Sequence, residues 1–301
     1  MWVQPMNESW EKKRKRTYLD KIISGLNGFR YWLTESKKLG LLRLLHGKEF
    51  EKPEKNPFVS VYIPTYNRGK LLAERAVSSI LGQTCQNFEI VVVGDHCTDN
   101  TEELLSKFKD KRIRFYNLPK KTGGYPLDAE GRWFAGPVGP ANMGLKLVKG
   151  KWIARVDDDE TWTPDHIEVL LKFAQENGYE FVSAASYVER DGKKYVVGPE
   201  GEDGRCSVVV KGKPIAIGGP RTWFYRNYLR HFRFNKHCWR KSWDKVNDID
   251  FEVRLCKAGV RMGYLNKPVA YYLPRPGETT IGLDAYKRAE KEGFKEYYGN
   301  C

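Results

Sequence analysis

Residues 58–68 read Phe58-Val59-Ser60-Val61-Tyr62-Ile63-Pro64-Thr65-Tyr66-Asn67-Arg68, and residues 88–95 read Phe88-Glu89-Ile90-Val91-Val92-Val93-Gly94-Asp95. Each is a short run of β-branched and aromatic residues that stops on polar, turn-forming ones, the pattern of a buried parallel strand. The stretches 71–81 and 101–108 carry apolar residues at helical spacing, so the order is strand, helix, strand, helix. Further strands over 113–116 and 152–156 make the first half a βαβαβ system of mononucleotide-binding type.

Working outward from this core, Thr163 as N-cap and Pro164 at the first position predict a helix through Ile167, Leu170, Leu171 and Ala174. Strands over 181–188 and 194–197 flank a hairpin turn at Asp191-Gly192. A glycine-rich acidic loop spans 198–204, a helix over 247–258 ends at Gly259, and strands at 261–265 and 269–273 precede a charged C-terminal helix.

Residues 1–56 stand apart. The basic run Lys12-Lys13-Arg14-Lys15-Arg16 precedes Leu19, Ile22, Ile23, Leu26, Phe29 and Leu33, apolar residues at helical spacing, with Tyr31 and Trp32 beside them. An amphipathic helix is expected, weakened as a free-standing element by Gly25 and Gly28. It has two uses: packing on the main domain or a partner, or lying in a membrane interface. Residues 51–57 read as a linker.

Composition bounds the function. The chain has 301 residues, of which 41% are apolar and 13% aromatic, and this is a globular rather than a disordered balance. The 52 Lys and Arg against 38 Asp and Glu leave +14, which calls for a polyanionic partner: nucleic acid, an anionic membrane surface or a phosphate-bearing substrate. The six cysteines show no metal-ligand spacing and read as free thiols of a reducing compartment. With no apolar run of about 20 residues and no signal-peptide core, the expected location is the cytoplasm or, peripherally, the membrane surface.

Three polar clusters sit at strand ends, where open α/β sheets bind ligands. Asp157-Asp158-Asp159-Glu160 follows the strand over 152–156. Four adjacent acids repel one another, and a hard, oxygen-ligated Mg²⁺ or Mn²⁺ held with substrate phosphates would relieve them; a solvated turn at a helix start is the alternative. Pro64-Thr65-Tyr66-Asn67-Arg68 ends the first strand, with an aromatic able to stack on a base. Gly94-Asp95-His96-Cys97-Thr98-Asp99 ends the second, with Asp95 able to accept from a base N–H and Thr98 or Asp99 able to cap a helix.

The ordered set looks like glycosyltransferase family 2: residues 59–68, then Ser79-Ile80-Leu81-Gly82-Gln83-Thr84, then 88–95, Asn142-Met143-Gly144-Leu145, Lys149-Gly150-Lys151-Trp152-Ile153 with the acidic run, and 248–255. The resemblance covers roughly 58–273. It implies a GT-A fold, in which residues 57–162 bind the nucleotide sugar and 163–301 bind the acceptor over one mixed, mainly parallel sheet, preceded by the helical extension 1–56. It implies an inverting, metal-dependent enzyme that moves a sugar from a nucleotide-diphosphate sugar, UDP by default, to an acceptor hydroxyl of a glycan or lipid-linked saccharide, in glycan or cell-surface polysaccharide synthesis. Nucleic acid is not an expected partner.

Carried over by position, Pro64, Thr65, Tyr66, Asp95 and Asn142 would hold the nucleotide. Asp157 and Asp159 match the DxD metal acids, Asp158 lies towards the ribose or diphosphate, and Asp248 would be the general base. A local argument agrees for Asp248, which opens a helix anchored by Phe251 and Leu255, although an N-cap acid would look the same. Trp223, Phe224, Tyr225, Trp239 and Trp243 could face an acceptor sugar or simply pack the core.

This chain departs from the family pattern in four ways: Gly94 stands where a first Asp is common, His96-Cys97 replace a small pair, Asn247 takes a Glu position, and no histidine follows Tyr272. Two other classes compete. A nucleotidyltransferase shares such a core, but no glycine-rich, Arg-containing loop follows the first strand. A non-catalytic basic binding module would bind in a salt-sensitive way that ignores Mn²⁺.

Overall fold

A computed structural model describes residues 16–198, 207–210 and 213–293. Most of the basic run at 12–16 and most of the glycine-rich acidic loop at 198–204 lie outside these residues. The chain opens with helix α1 (Tyr18–His46) and enters the domain at β1 (Val59–Thr65). The helical run that follows comprises α2 (Gly69–Leu72), a π turn over Ala73–Val77, and α3 (Ser78–Leu81). Next come β2 (Phe88–Gly94), α4 (Thr101–Ser106), β3 (Ile113–Asn117), α5 (Ala129–Ala135), α6 (Val138–Leu147) and β4 (Trp152–Arg155).

The second half runs β5 (Thr161–Trp162), α7 (His166–Glu176), β6 (Phe181–Arg190), β7 (Lys193–Val197), β8 (Ser207–Val210), β9 (Lys213–Ala216) and β10 (Phe224–Arg226). Helix α8 (Asn247–Ala258), strand β11 (Met262–Tyr272) and helix α9 (Gly282–Lys291) complete it.

The main sheet is ordered β3-β2-β1-β4-β10-β6-β11-β5, with β7 paired to β6. Strands β1 to β4 are mutually parallel, β10 is antiparallel to both its neighbours, and β6 and β11 are parallel. Along β1 and β2 every residue is buried, because helices cover both faces. Alternation divides them: Val61, Ile63, Ile90 and Val92 join one core with Leu72, Ile80 and Leu170, whereas Tyr62, Val91 and Val93 join the other with Ala141, Leu145 and Phe251. Gly144 lets α6 lie on the sheet, since a Cβ there would stand 2.7 Å from the Tyr62 ring. Chain order reverses at β1, whose neighbours are β2 and β4, and the ends of these strands form the switch point at which ligands bind.

Two expectations are corrected. Thr163 does not cap α7: Asp165 holds the N-cap position and accepts at 2.8 Å from the Thr163 hydroxyl. The two late strands are one, β11, with register shifts on either side of Pro268, which has no N–H to give to the ladder. Helices α5 and α6 arise in a stretch rich in Gly and Pro that gave no helical signal.

The first helix forms through Gly25 and Gly28 because tertiary contacts carry it. Thr17 and Asp20 make a capping box at its start. Three ion pairs then pin one side to the domain: Asp20 to Arg240, Glu35 to Arg254, and Arg43 to Glu180, with Nε to Oε1 at 2.7 Å. Leu39 and Leu42 are buried between them, each contributing roughly 2 kcal/mol by its burial.

Candidate functional site

The ends of β1, β2 and β4, the start of α8 and the segment after β11 line one cleft. Pro64, Thr65, Tyr66, Asp95, Asp157, Asp158, Asp159 and Asp248, all singled out in the sequence, border it. Asn142 does not. Its side chain bridges to the backbone of Phe234, accepting from the N–H at 2.9 Å and donating to the carbonyl at 3.1 Å, so it ties α6 to the loop before α8.

Two loops shape the end of the cleft beyond β1 and β2. Asn67 adopts φ 48° and His96 φ 61°, left-handed conformations that turn the chain sharply after β1 and β2. The Asn67 carboxamide laces the turns together by accepting from the Thr98 N–H at 2.8 Å. Asp99 accepts from the Gly69 N–H at 2.9 Å and so holds the start of α2. Gly94 is dictated by space, since a Cβ there would meet the Asn117 carboxamide oxygen at 2.6 Å. Asp95 is buried and accepts from both the N–H and the hydroxyl of Thr122 at 2.8 Å; burial holds its carboxyl above the ordinary value, against the pull of those bonds. The Lys121 ammonium lies 3.6 Å from the Tyr66 ring centroid, placing a cation and an aromatic face together at the cleft.

The acidic run is neutralised in a way the sequence reading does not anticipate. Each of its four acids has its own guanidinium: Arg155 to Asp157 at 3.0 Å, Arg68 to Asp158 at 2.9 Å, Arg275 to Asp159 at 3.0 Å, and Arg221 to Glu160 at 2.6 Å. Asp158 also accepts from the Thr65 hydroxyl at 2.7 Å, and burial raises its pKa. Burial would raise Asp159 too, but Arg275 and Arg68 outweigh it and hold that carboxyl below its ordinary value. Burial pushes Glu160 up to about 7 despite Arg221. Mutual repulsion therefore does not by itself require a divalent cation.

Among the described residues no group of three or more His, Cys, Asp or Glu side chains is arranged to hold a metal ion. The donor set that is present, the Asp157 and Asp159 carboxylates on one turn facing the cleft, fits a hard cation that takes its remaining ligands from substrate phosphates and water. In the segment after Tyr272, Arg275 reaches Asp159. Arg75 anchors that segment by donating to the carbonyls of Pro274 at 2.6 Å and Leu273 at 3.3 Å.

Asp248 is the second residue of α8, whose N-cap is Val246, so it is not an N-cap acid. Burial raises its pKa, and Arg155 is the principal charge opposing the rise. Arg155 is 1% exposed; burial would lower its pKa, but Asp157, Tyr62 and Asp248 together hold it above the ordinary arginine value. One turn on, the buried Glu252 has an oxygen with no hydrogen-bond partner, and its pKa is driven well up by burial and by Asp248. Asn247 donates to the Phe134 carbonyl at 3.1 Å, which a glutamate could not do.

Sequence reasoning missed the arginines. A charge inside the apolar run Trp152-Ile153-Ala154-Arg155-Val156 was the available signal for Arg155; Arg275 had none beyond its position. Of the two uses open to the late aromatics, core packing holds for Trp223, Phe224 and Tyr225, which are fully buried, and for Trp239, nearly so; the aromatics bordering the cleft are Tyr66, Tyr125, Trp133, Tyr272 and Tyr286.

Comparison with known proteins agrees with this architecture. The model of the family described as glycosyl transferase family 2 matches residues 60–126 and 132–247. An uncharacterized glycosyltransferase of Rickettsia felis is 40% identical over 140 residues, covering 46% of this chain and 21% of that protein. Glycosyltransferase GlyG of Streptococcus pneumoniae is 36% identical over 141 residues, covering 46% and 42%. The match to the Rickettsia felis protein thus spans only about a fifth of that relative. Among solved structures, Staphylococcus aureus TarS 1–349 in complex with UDP-GlcNAc superposes with a TM-score of 0.53 at 22% identity, covering 73% of this chain and 60% of that one. The mannosyltransferase PcManGT of Pyrobaculum calidifontis, in complex with GDP-Man and Mn²⁺, gives 0.52 at 15% identity, covering 89% and 76%. These likenesses are of fold.

Proposed function

The chain belongs to glycosyltransferase family 2, and from that membership we propose that it is an inverting, metal-dependent transferase that moves a sugar from a UDP-sugar to an acceptor hydroxyl in glycan or polysaccharide synthesis. The observation that carries the reading is that Asp95, Asp157, Asp159 and Asp248, from three separate stretches of chain, border one cleft. Residues 57–162 would bind the donor and 163–301 the acceptor, a glycan or lipid-linked saccharide. The UDP-GlcNAc complex of TarS supports a uridine nucleotide, and the GDP-Man complex of PcManGT makes guanosine the other choice to test.

In this reading Tyr66 and Asp95 take the base, while Thr65, Asp158 and Arg68 lie towards the ribose and diphosphate. Asp157 and Asp159 would hold Mn²⁺ or Mg²⁺, which when bound supplies neutralising charge to the diphosphate. Asp248 accepts the proton of the acceptor hydroxyl as its oxygen bonds to the anomeric carbon from the face opposite the diphosphate. The bond from that carbon to the diphosphate oxygen breaks, and the electron pair leaves with the diphosphate. Arg68 and Arg275, already oriented by Asp158 and Asp159, would stabilise the charge that develops there. Arg155 opposes the rise that burial imposes on the pKa of Asp248.

Calorimetric titration of UDP-sugars and GDP-sugars with and without Mn²⁺, followed by NMR assignment of the product anomer, tests the reading. Retention of configuration would refute inversion, and release of pyrophosphate from a nucleoside triphosphate would identify a nucleotidyltransferase instead.

A further inference from the structure

The side of α1 that the domain leaves uncovered is unusual in two respects. Leu19, Ile22, Leu26, Phe29 and Leu33 follow one another at spacings of three and four, and all are exposed, Leu26 at 66% and Phe29 at 62%. Tyr18 and Trp32 border this stripe at 80% and 74% exposure, and Leu44 continues its line beyond Lys37 and Gly40. The buried residues of the helix, Asp20, Glu35, Leu39 and Leu42, fall on the opposite side, so the domain does not use the stripe for packing.

The second respect is charge. The helix contains two acids, Asp20 and Glu35, and both are buried in ion pairs with Arg240 and Arg254. Its exposed charged residues are Lys21, Arg30, Lys37 and Lys38, all cationic. The outward side of α1 is therefore apolar and positive, with no negative charge.

We infer that this side of α1 docks in the plane of an anionic lipid surface, with Leu26, Phe29 and Trp32 in the acyl boundary and Arg30 and Lys37 among the headgroups. A helix with aromatic and leucine residues on one flank and only basic charges beside them matches what an interfacial helix requires. A second copy of this chain is a poorer occupant, because face-to-face pairing would oppose lysines and arginines with no carboxylate between them. Among the described residues no helix is long and apolar enough to cross a membrane, so the contact is peripheral through this element.

The test is co-sedimentation of the full chain with phosphatidylcholine vesicles and with vesicles also containing phosphatidylglycerol, at low and high salt. The chain is expected to sediment with the anionic vesicles only, less at high salt, by about fivefold in affinity for each basic residue engaged. The triple variant Leu26→Glu, Phe29→Glu, Trp32→Glu should lose binding while keeping its melting temperature, since all three side chains are exposed. The double variant Arg30→Glu, Lys37→Glu, which leaves the stripe intact, should weaken binding to anionic vesicles independently. Wild-type protein that stays in the supernatant, or a triple variant that sediments as wild type does, overturns the inference. So does light scattering that shows a dimer dissociated by the triple variant without any vesicle binding.

Discussion

Arg155 donates at 3.0 Å to Asp157, a proposed metal ligand, and is also the principal positive charge acting on Asp248, the proposed base. One buried guanidinium thus couples the two halves of the site. Such a group is worth more than its single hydrogen bond, because its charge sets the ionisation of a carboxylate that must be anionic to work.

Replacing Arg155 by Lys keeps the charge and loses the fork. Turnover is expected to fall about 10- to 100-fold, the scale of a lost hydrogen bond to a charged group. Steady-state kinetics beside a melting curve separates this loss from unfolding, and unchanged turnover would remove Arg155 from the site.

Asp248→Asn should leave donor affinity intact while transfer falls by about 10² to 10⁴. The base works only when deprotonated, so kcat/KM should rise with pH through a pKa above the ordinary carboxylate value of 3.8, the direction in which burial moves it. Arg155→Leu removes the opposing charge and should shift that acid limb to higher pH. A limb that does not move would show that the titrating group is another residue.

Asp159→Ala should weaken donor binding in the presence of Mn²⁺ by about tenfold or more, the scale of one charge-assisted contact. Calorimetry of UDP with and without the metal measures it. Equal affinity in wild type and variant would exclude a metal-ligating role.

His166 reports on the fold rather than the site. It is fully buried, stacked on Trp162 with centroids 3.8 Å apart, and donates from Nδ1 to the Val269 carbonyl at 2.9 Å. Burial lowers its pKa from 6.5 to about 3. The unfolded chain therefore takes up this proton first, and the group's contribution is present above pH 6.5 and lost as pH falls towards 3. Between pH 8 and pH 5 the loss is about 2 kcal/mol. Urea unfolding of His166→Phe should show its stability relative to wild type improving by that amount over the same interval.

Asp95, Asp157 and Asp159, three acids of the proposed site, were legible because strand ends punctuate the sequence sharply: Asp95 follows Val93-Gly94, and Asp157 follows Val156. The place of Asp248 at a helix start was legible because Phe251 and Leu255 mark the buried side of α8. What stayed hidden was long-range pairing. That Arg275 reaches Asp159, or that Asn142 serves Phe234 rather than a ligand, depends on chain segments 116 and 92 residues apart meeting in space, and no local pattern encodes it. The helices over 129–147 were masked by glycines and prolines whose function is close packing, as at Gly144.

The ion pairs along α1 also limit how the gene can be shortened. A fragment begun at the linker, to isolate the family match, would delete Glu35 and Arg43 and leave Arg254 and Glu180 without those counter-charges. Arg254 would keep Asp250, and Glu180 would keep the Tyr228 hydroxyl and the Arg261 N–H, so each loses one charge-assisted partner, a cost on the order of 1.5–3 kcal/mol. The leading helix is therefore a structural brace for the catalytic domain, and removing it to study anchoring would confound loss of attachment with loss of fold.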